Sequence, residues 1–121
     1  AYGDRFKTFA FNDEVVPGIK ALEGVGHTPG HTMYMLETSN DKLLIIGDLV
    51  HAATLQFLYP DECPTYDMDR VKAVETRKAV LGRAAAEKLL IAGMHIPNGG
   101  VGHVAENGKG GFIFTPVREA R

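Results

Sequence analysis

Apolar residues in this chain fall into short runs divided by turn-forming residues, and over the first half the runs have strand length. RFKTFAF, Arg5–Phe11, is rich in aromatics and predicts a strand. Val15-Val16-Pro17-Gly18 is a turn signal. Ile19–Leu22 predicts a second short strand. Met33–Thr38 and Lys42–Ile46 are apolar runs separated by Ser39-Asn40-Asp41, the pattern of a hairpin whose second strand ends at Gly47-Asp48. Leu89–Ala92 predicts a buried strand ending at Gly93-Met94-His95, followed by a Pro97–Gly100 loop. Gly111–Thr115 predicts a last strand, stopped by Pro116.

Only Asp67–Ala86 carries a helical period. Val71, Val74, Leu81 and Ala85 fall on one face, with Lys78 on the same stripe and obliged to snorkel. Asp67 can cap the helix, and Asp69 suits the positive end of its dipole. Gly82 weakens the helix interior by about 1 kcal/mol relative to Ala. Neither a repeat nor a linker interrupts the chain, so residues 1–121 predict one unit, β-rich first and with one main helix near the middle.

Composition narrows the class. The chain has 121 residues, 45% hydrophobic and 23% charged, with net charge −2. That is a globular balance large enough for one core. No Lys/Arg stripe exists to meet nucleic acid, and the apolar run at Leu43–Ile46 is far too short to span a bilayer. One cysteine, Cys63, excludes an intrachain disulfide framework and a Cys-rich zinc site. The opening Ala1-Tyr2-Gly3-Asp4 holds neither an initiator Met nor a signal-peptide pattern, which fits a mature, processed or truncated start. A soluble protein is expected, with cytoplasm and a bacterial-type periplasm both left open.

Five histidines are candidates for chemistry: His27, His31, His51, His95 and His103. His27 and His31 would share a helical face, but Pro29-Gly30 between them makes a loop, in which one imidazole turns inward and the other bonds the loop. Asp48 follows an apolar strand and a glycine; it reads either as a turn aspartate bonded to amides or as a metal ligand, possible as a bridge between two ions. His95 repeats that placement after LLIAG. His51 and His103 have no strand-end placement and read as structural residues or as support for ligands. Gly99–Gly102 has no following helix to make a phosphate cradle. Cys63 has no basic neighbour in sequence, and Ser39, the single serine, sits in the hairpin turn. Covalent catalysis is disfavoured, which leaves metal-activated water as the nucleophile.

GHTPGHT, a strand–turn–strand, GD, a helix and a strand-end His together resemble the C-terminal half of the metallo-β-lactamase superfamily. GDLVHAATLQF, DMDRVKAVETRK and GVGHVAENGKGGFIFTPV resemble its methyl parathion hydrolase-like, lactonase-like branch; the likeness runs from about Val16 to Val117. It implies an α/β (α+β) fold, half of an αββα sandwich with a mixed sheet and one main helix at about 67–86. It also implies two metal ions in the cleft of the complete enzyme, zinc by default, with manganese, iron or cobalt allowed by the same ligands. Carried over, His31 binds one metal, His95 the other, and Asp48 bridges them and relays a proton; His27 is not a ligand. The remaining ligands come from an N-terminal His-x-His-x-Asp-His motif, and this sequence has no His-x-His.

Three readings follow. In the first, the chain is part of a hydrolase that cleaves an ester, lactone or phosphotriester with a hydroxide held by two metals, and is inactive and without metal on its own. In the second, it is a non-catalytic half-sandwich that pairs with a copy of itself. In the third, another chain supplies the missing ligands, pairing with this one as the N-terminal half would. Preference for those substrates over β-lactams rests on the branch resemblance.

Overall fold

The structure, a computed structural model, describes residues 2–97 and 99–117. Seven strands form one mixed sheet: β1 (Glu14–Val16), β2 (Ile19–Glu23), β3 (Thr32–Glu37), β4 (Lys42–Gly47), β5 (Leu90–Gly93), β6 (Val101–Glu106) and β7 (Phe112–Pro116). Spatial order equals chain order. Every neighbouring pair is antiparallel except β4 and β5, which run parallel. That parallel step requires a crossover, supplied by a short helix α1 (Ala53–Gln56) and the main helix α2 (Arg70–Glu87).

The β3–β4 hairpin lies where the pattern of apolar runs puts it, but of the turn expected at Val15–Gly18 only Pro17-Gly18 turns; Val15 and Val16 belong to β1, which the predicted elements lack. The strand expected at Arg5–Phe11 does not form. Gly3–Arg5 makes a 3-10 turn, and residues 6–10 pair with no strand. Their aromatics act singly: Phe6 is exposed, and Phe9 packs edge-on against Tyr34 of β3 with ring centroids 6.4 Å apart. β6 has no counterpart in the predicted elements. VGHVAE buries only Gly102 and Val104, and Gly102-His103 interrupts its apolar residues. Pro116 ends β7 from within, opposite Gly102, as an edge strand permits.

The main helix starts at Arg70. Its cap is Asp69, whose side chain accepts the Lys72 N–H at 2.9 Å; Asp67 lies outside the helix and does other work. The buried stripe is Ala73, Arg77, Leu81 and Ala84, at spacings of four and three. Val71 is 72% exposed, and Lys78 points to solvent toward Asp61 instead of lying along the core. The predicted stripe is therefore rotated, because a buried arginine occupies the inward position.

The core lies between α2 and one face of the sheet, where Met33, Met35, Leu44, Ile46, Ile91 and Val104 meet Leu81, Ala84 and Phe57. Each fully buried Leu or Ile here contributes about 1.5–3 kcal/mol. The opposite sheet face carries Ile19, Tyr34, Leu36, Leu43 and Ile45, all only half-buried. This mixed seven-stranded sheet with one main helix is the half-sandwich expected. One rim of it matters for chemistry. β2 ends, β3 begins, and β4 and β5 end side by side on that rim, Gly47 opposite Gly93. The segments 24–31, 48–69 and 94–97 therefore emerge together.

Candidate metal centre

Asp48 and His95 leave the C-terminal ends of the two parallel strands, so the sheet itself sets their separation. His95 Nε2 lies 3.2 Å from Asp48 Oδ1. The other carboxylate oxygen, Oδ2, faces His27 Nε2 at 3.6 Å. His51, three residues after Asp48, completes the cluster. Its ring stacks on His95 at 4.9 Å and lies 4.6 Å from that of His27. His27, Asp48 and His51 each offer a ligand atom within 4.8 Å of the others. Tyr66 stands edge-on to His51 at 5.0 Å.

His27 and His31 occupy places opposite to those expected. His31 bonds the scaffold through both ring nitrogens. The Asp48 backbone N–H donates to its Nε2 at 3.0 Å, so the ring proton sits on Nδ1 and is given to the Gly24 carbonyl at 2.7 Å. Neither nitrogen is left for an ion. The ring fits because Gly24 and Gly47 flank it; a Cβ on Gly47 would lie 2.7 Å from His31 Nε2, and Gly47 also has φ +54°. His31 is thus a strut that fixes the backbone of Asp48. The spacing of the two histidines across a Pro-Gly loop carries no phase, so sequence alone could not decide which imidazole turns toward Asp48.

His27 Nδ1 donates to Asp67 Oδ1 at 3.0 Å, so Nε2 is the nitrogen that faces Asp48. A carboxylate that fixes the tautomer of a histidine in this way is the usual outer support of a metal ligand. Asp67 is itself buried and held by Arg77, 3.3 Å from Oδ2. Burial pushes its carboxyl up, but hydrogen bonds from His27 and the Cys63 thiol and the charge of Arg77 outweigh it and hold the pKa below the usual 3.8. Capping explained Asp67 in sequence terms; its true partners lie 40 residues upstream and 10 downstream, beyond local reading.

His51 was expected to be structural or supporting, and its ring enters the cluster. Burial lowers its pKa, His27 and His95 push the same way, and Asp48 opposes them. Its Nδ1 is a buried polar atom without a partner among the described residues. His103 is at the other rim, bonded to the Leu89 carbonyl at 3.1 Å.

The residues fit a cation. Imidazole nitrogens of His27, His51 and His95 gather around the Asp48 carboxylate, and the buried His51 Nδ1 has no partner among the described residues. Such a donor set of nitrogen and oxygen suits zinc and the neighbouring transition metals.

This half-sandwich, with Asp48, His95 and His27 on its parallel-strand rim, has the fold of part of metallo-β-lactamase superfamily hydrolases. The crystal structure of the hydrolase AbOPH, in the β-lactamase superfamily, matches 97% of the chain at TM-score 0.89 and 37% identity. AidC, a dizinc quorum-quenching lactonase solved with the product N-hexanoyl-L-homoserine, matches 95% at TM-score 0.88 and 28% identity. An N-acyl homoserine lactonase of Bacillus cereus is 28% identical over 109 residues, 90% of the chain. The chain spans about 40% of the length of each of these relatives: 40%, 39% and 40%. No protein-family model matches it. No helix among the described residues is long and apolar enough to cross a membrane.

Proposed function

We propose that this chain is the C-terminal, metal-binding part of a hydrolase that opens a lactone, ester or phosphotriester. The observation that carries the reading is the convergence of His27, both oxygens of Asp48, His51 and His95 on one rim of the sheet. His27 replaces His31 in the proposed ligand set, with Asp48 and His95 kept, and Asp48 placed to bridge. A two-metal centre is the fuller form of the same proposal, with the remaining ligands supplied from outside these residues. The dizinc lactonase AidC supports that form.

When bound, a divalent metal supplies Lewis-acid polarisation of the scissile C=O or P=O and acidifies water. The chain's own residues hold and aim. Asp67 keeps the proton of His27 on Nδ1 and so keeps Nε2 a donor. His31 fixes the Asp48 backbone through its N–H, leaving the carboxylate free to accept a proton at an oxygen and pass it to the leaving group. Tyr66, edge-on to His51, walls one side.

The test is hydrolysis by the full-length protein, loaded with zinc, of an N-acyl homoserine lactone, an aryl ester and a dialkyl aryl phosphotriester. Turnover of at least one that is lost in Asp48→Asn is the expected result. Full activity in that variant, or in metal-stripped protein, overturns the reading.

A second reading has its own observation. Tyr34, Leu36, Leu43 and Ile45 form a half-buried apolar sheet face, and such a face requires a covering layer. In the chain alone a second copy can supply it, giving a homodimer without catalysis. Sedimentation that finds this chain monomeric at micromolar concentration removes that reading.

A further inference from the structure

Arg77 is 1% exposed, the largest of the fully buried side chains. It reaches from the middle of α2 into the 48–69 segment that carries α1. Its Nε donates to the Leu49 carbonyl at 2.8 Å. One terminal nitrogen donates to the Pro60 and Glu62 carbonyls at 2.8 and 2.9 Å. The other meets Asp67 Oδ2 at 3.3 Å.

Two of those partners stand next to the metal centre. Leu49 follows Asp48 directly, and Asp67 aims His27. We propose that Arg77 is the positioning residue of the metal centre, fixing Asp48 and His27 relative to each other through Leu49 and Asp67. This rests on the metal reading of the cluster and deepens it. The helix is the rigid body; the two ligand-bearing segments are loops, and loops need an external reference to hold a coordination geometry. A guanidinium suits the task because its planar fork presents five donors in fixed directions, which an ammonium lacks. A buried charge gives little net stability compared with apolar packing, so loop orientation is the more economical account of an arginine in this position.

Cobalt(II) alone, titrated into the metal-stripped full-length protein, reports on the centre by visible absorption without any turnover. Arg77→Lys keeps the positive charge and loses the fork. Leu81→Ala, one turn further along α2 and in the core, matches it as a purely destabilising change. The expected result is cobalt affinity at least about tenfold weaker and an altered absorption band in Arg77→Lys, of the size seen when outer support of a ligand is removed, with both unchanged in Leu81→Ala. Unchanged affinity and spectrum in Arg77→Lys, or parallel losses in the two variants, overturn the inference while leaving the metal reading intact. No cobalt binding by the wild type overturns the metal reading, and this inference with it. If Arg77→Lys does not fold, the wild type decides: by reciprocity of coupling, zinc slows hydrogen exchange at the Arg77 Nε–H if the residue is linked to the site. Unaltered exchange overturns the inference.

Discussion

His27 and Asp67, 40 residues apart in sequence, meet at 3.0 Å, and that contact decides which nitrogen of His27 faces Asp48. Asp67→Asn keeps the shape and removes the charge. Zinc affinity of the full-length protein should fall about 10- to 100-fold, read by competition with a chromophoric chelator. Undiminished affinity would mean that the tautomer of His27 is set by something else.

The same carboxyl predicts an acid limb. Its folded pKa is depressed, so its stabilising contribution is complete above the ordinary value of 3.8 and disappears as pH falls through the lower folded value. Urea midpoints of the wild type should therefore drop across that window. Asp67→Asn has no carboxyl to titrate there and should show a shallower decline; equal slopes would count against the Asp67–Arg77–His27 account.

The two loop histidines should separate cleanly. His31→Ala leaves the Asp48 N–H and the Gly24 carbonyl without their partner, a loss of about 1–3 kcal/mol in unfolding free energy. His27→Ala also takes a hydrogen bond from buried Asp67 and so costs stability too, but it alone should remove metal binding. Calorimetry and metal titration on both variants check this, and the reverse pattern would restore His31 as the ligand.

Two glycines predict opposite signs. Gly82→Ala should stabilise by about 1 kcal/mol, because the helix interior favours Ala and nothing lies within 4 Å of the new methyl. Gly47→Ala should destabilise by about 1–3 kcal/mol, since the residue sits at φ +54° and its Cβ would press on His31. Chemical denaturation of the pair measures both; a neutral Gly47→Ala would show that the His31 strut is not tight.

The strands from Ile19 to Gly47, the strand at Leu90 and the existence of α2 were legible because their apolar runs are dense and bounded by turns. Asp48 and His95 were legible as candidates because strand ends advertise themselves. What escaped was non-local or disguised. β6 breaks its apolar residues Val101, Val104 and Ala105 with Gly102 and His103, and it pairs with β5 and β7 on its two sides. Arg77 hid the phase of α2, since a charged residue argues against the inward face until its partners are known. Asp67 looked like a cap, and a cap is what Asp69 supplies two residues later. The proposed exchange of His31 for His27 rests on Gly24 and Gly47 closing around the His31 ring, which no local pattern shows.

The single parallel step between β4 and β5 divides the labour of the sheet's two rims. On one rim lie the loops that hold Asp48, His95 and His27. On the other lie the tight turns at Pro17-Gly18, Thr38–Asp41 and Lys88, where no proposed ligand stands. Loops on the first rim can be lengthened or recomposed to admit a different substrate while the turns on the second keep the register. The chain thus has one end open to diversification and one end that keeps count.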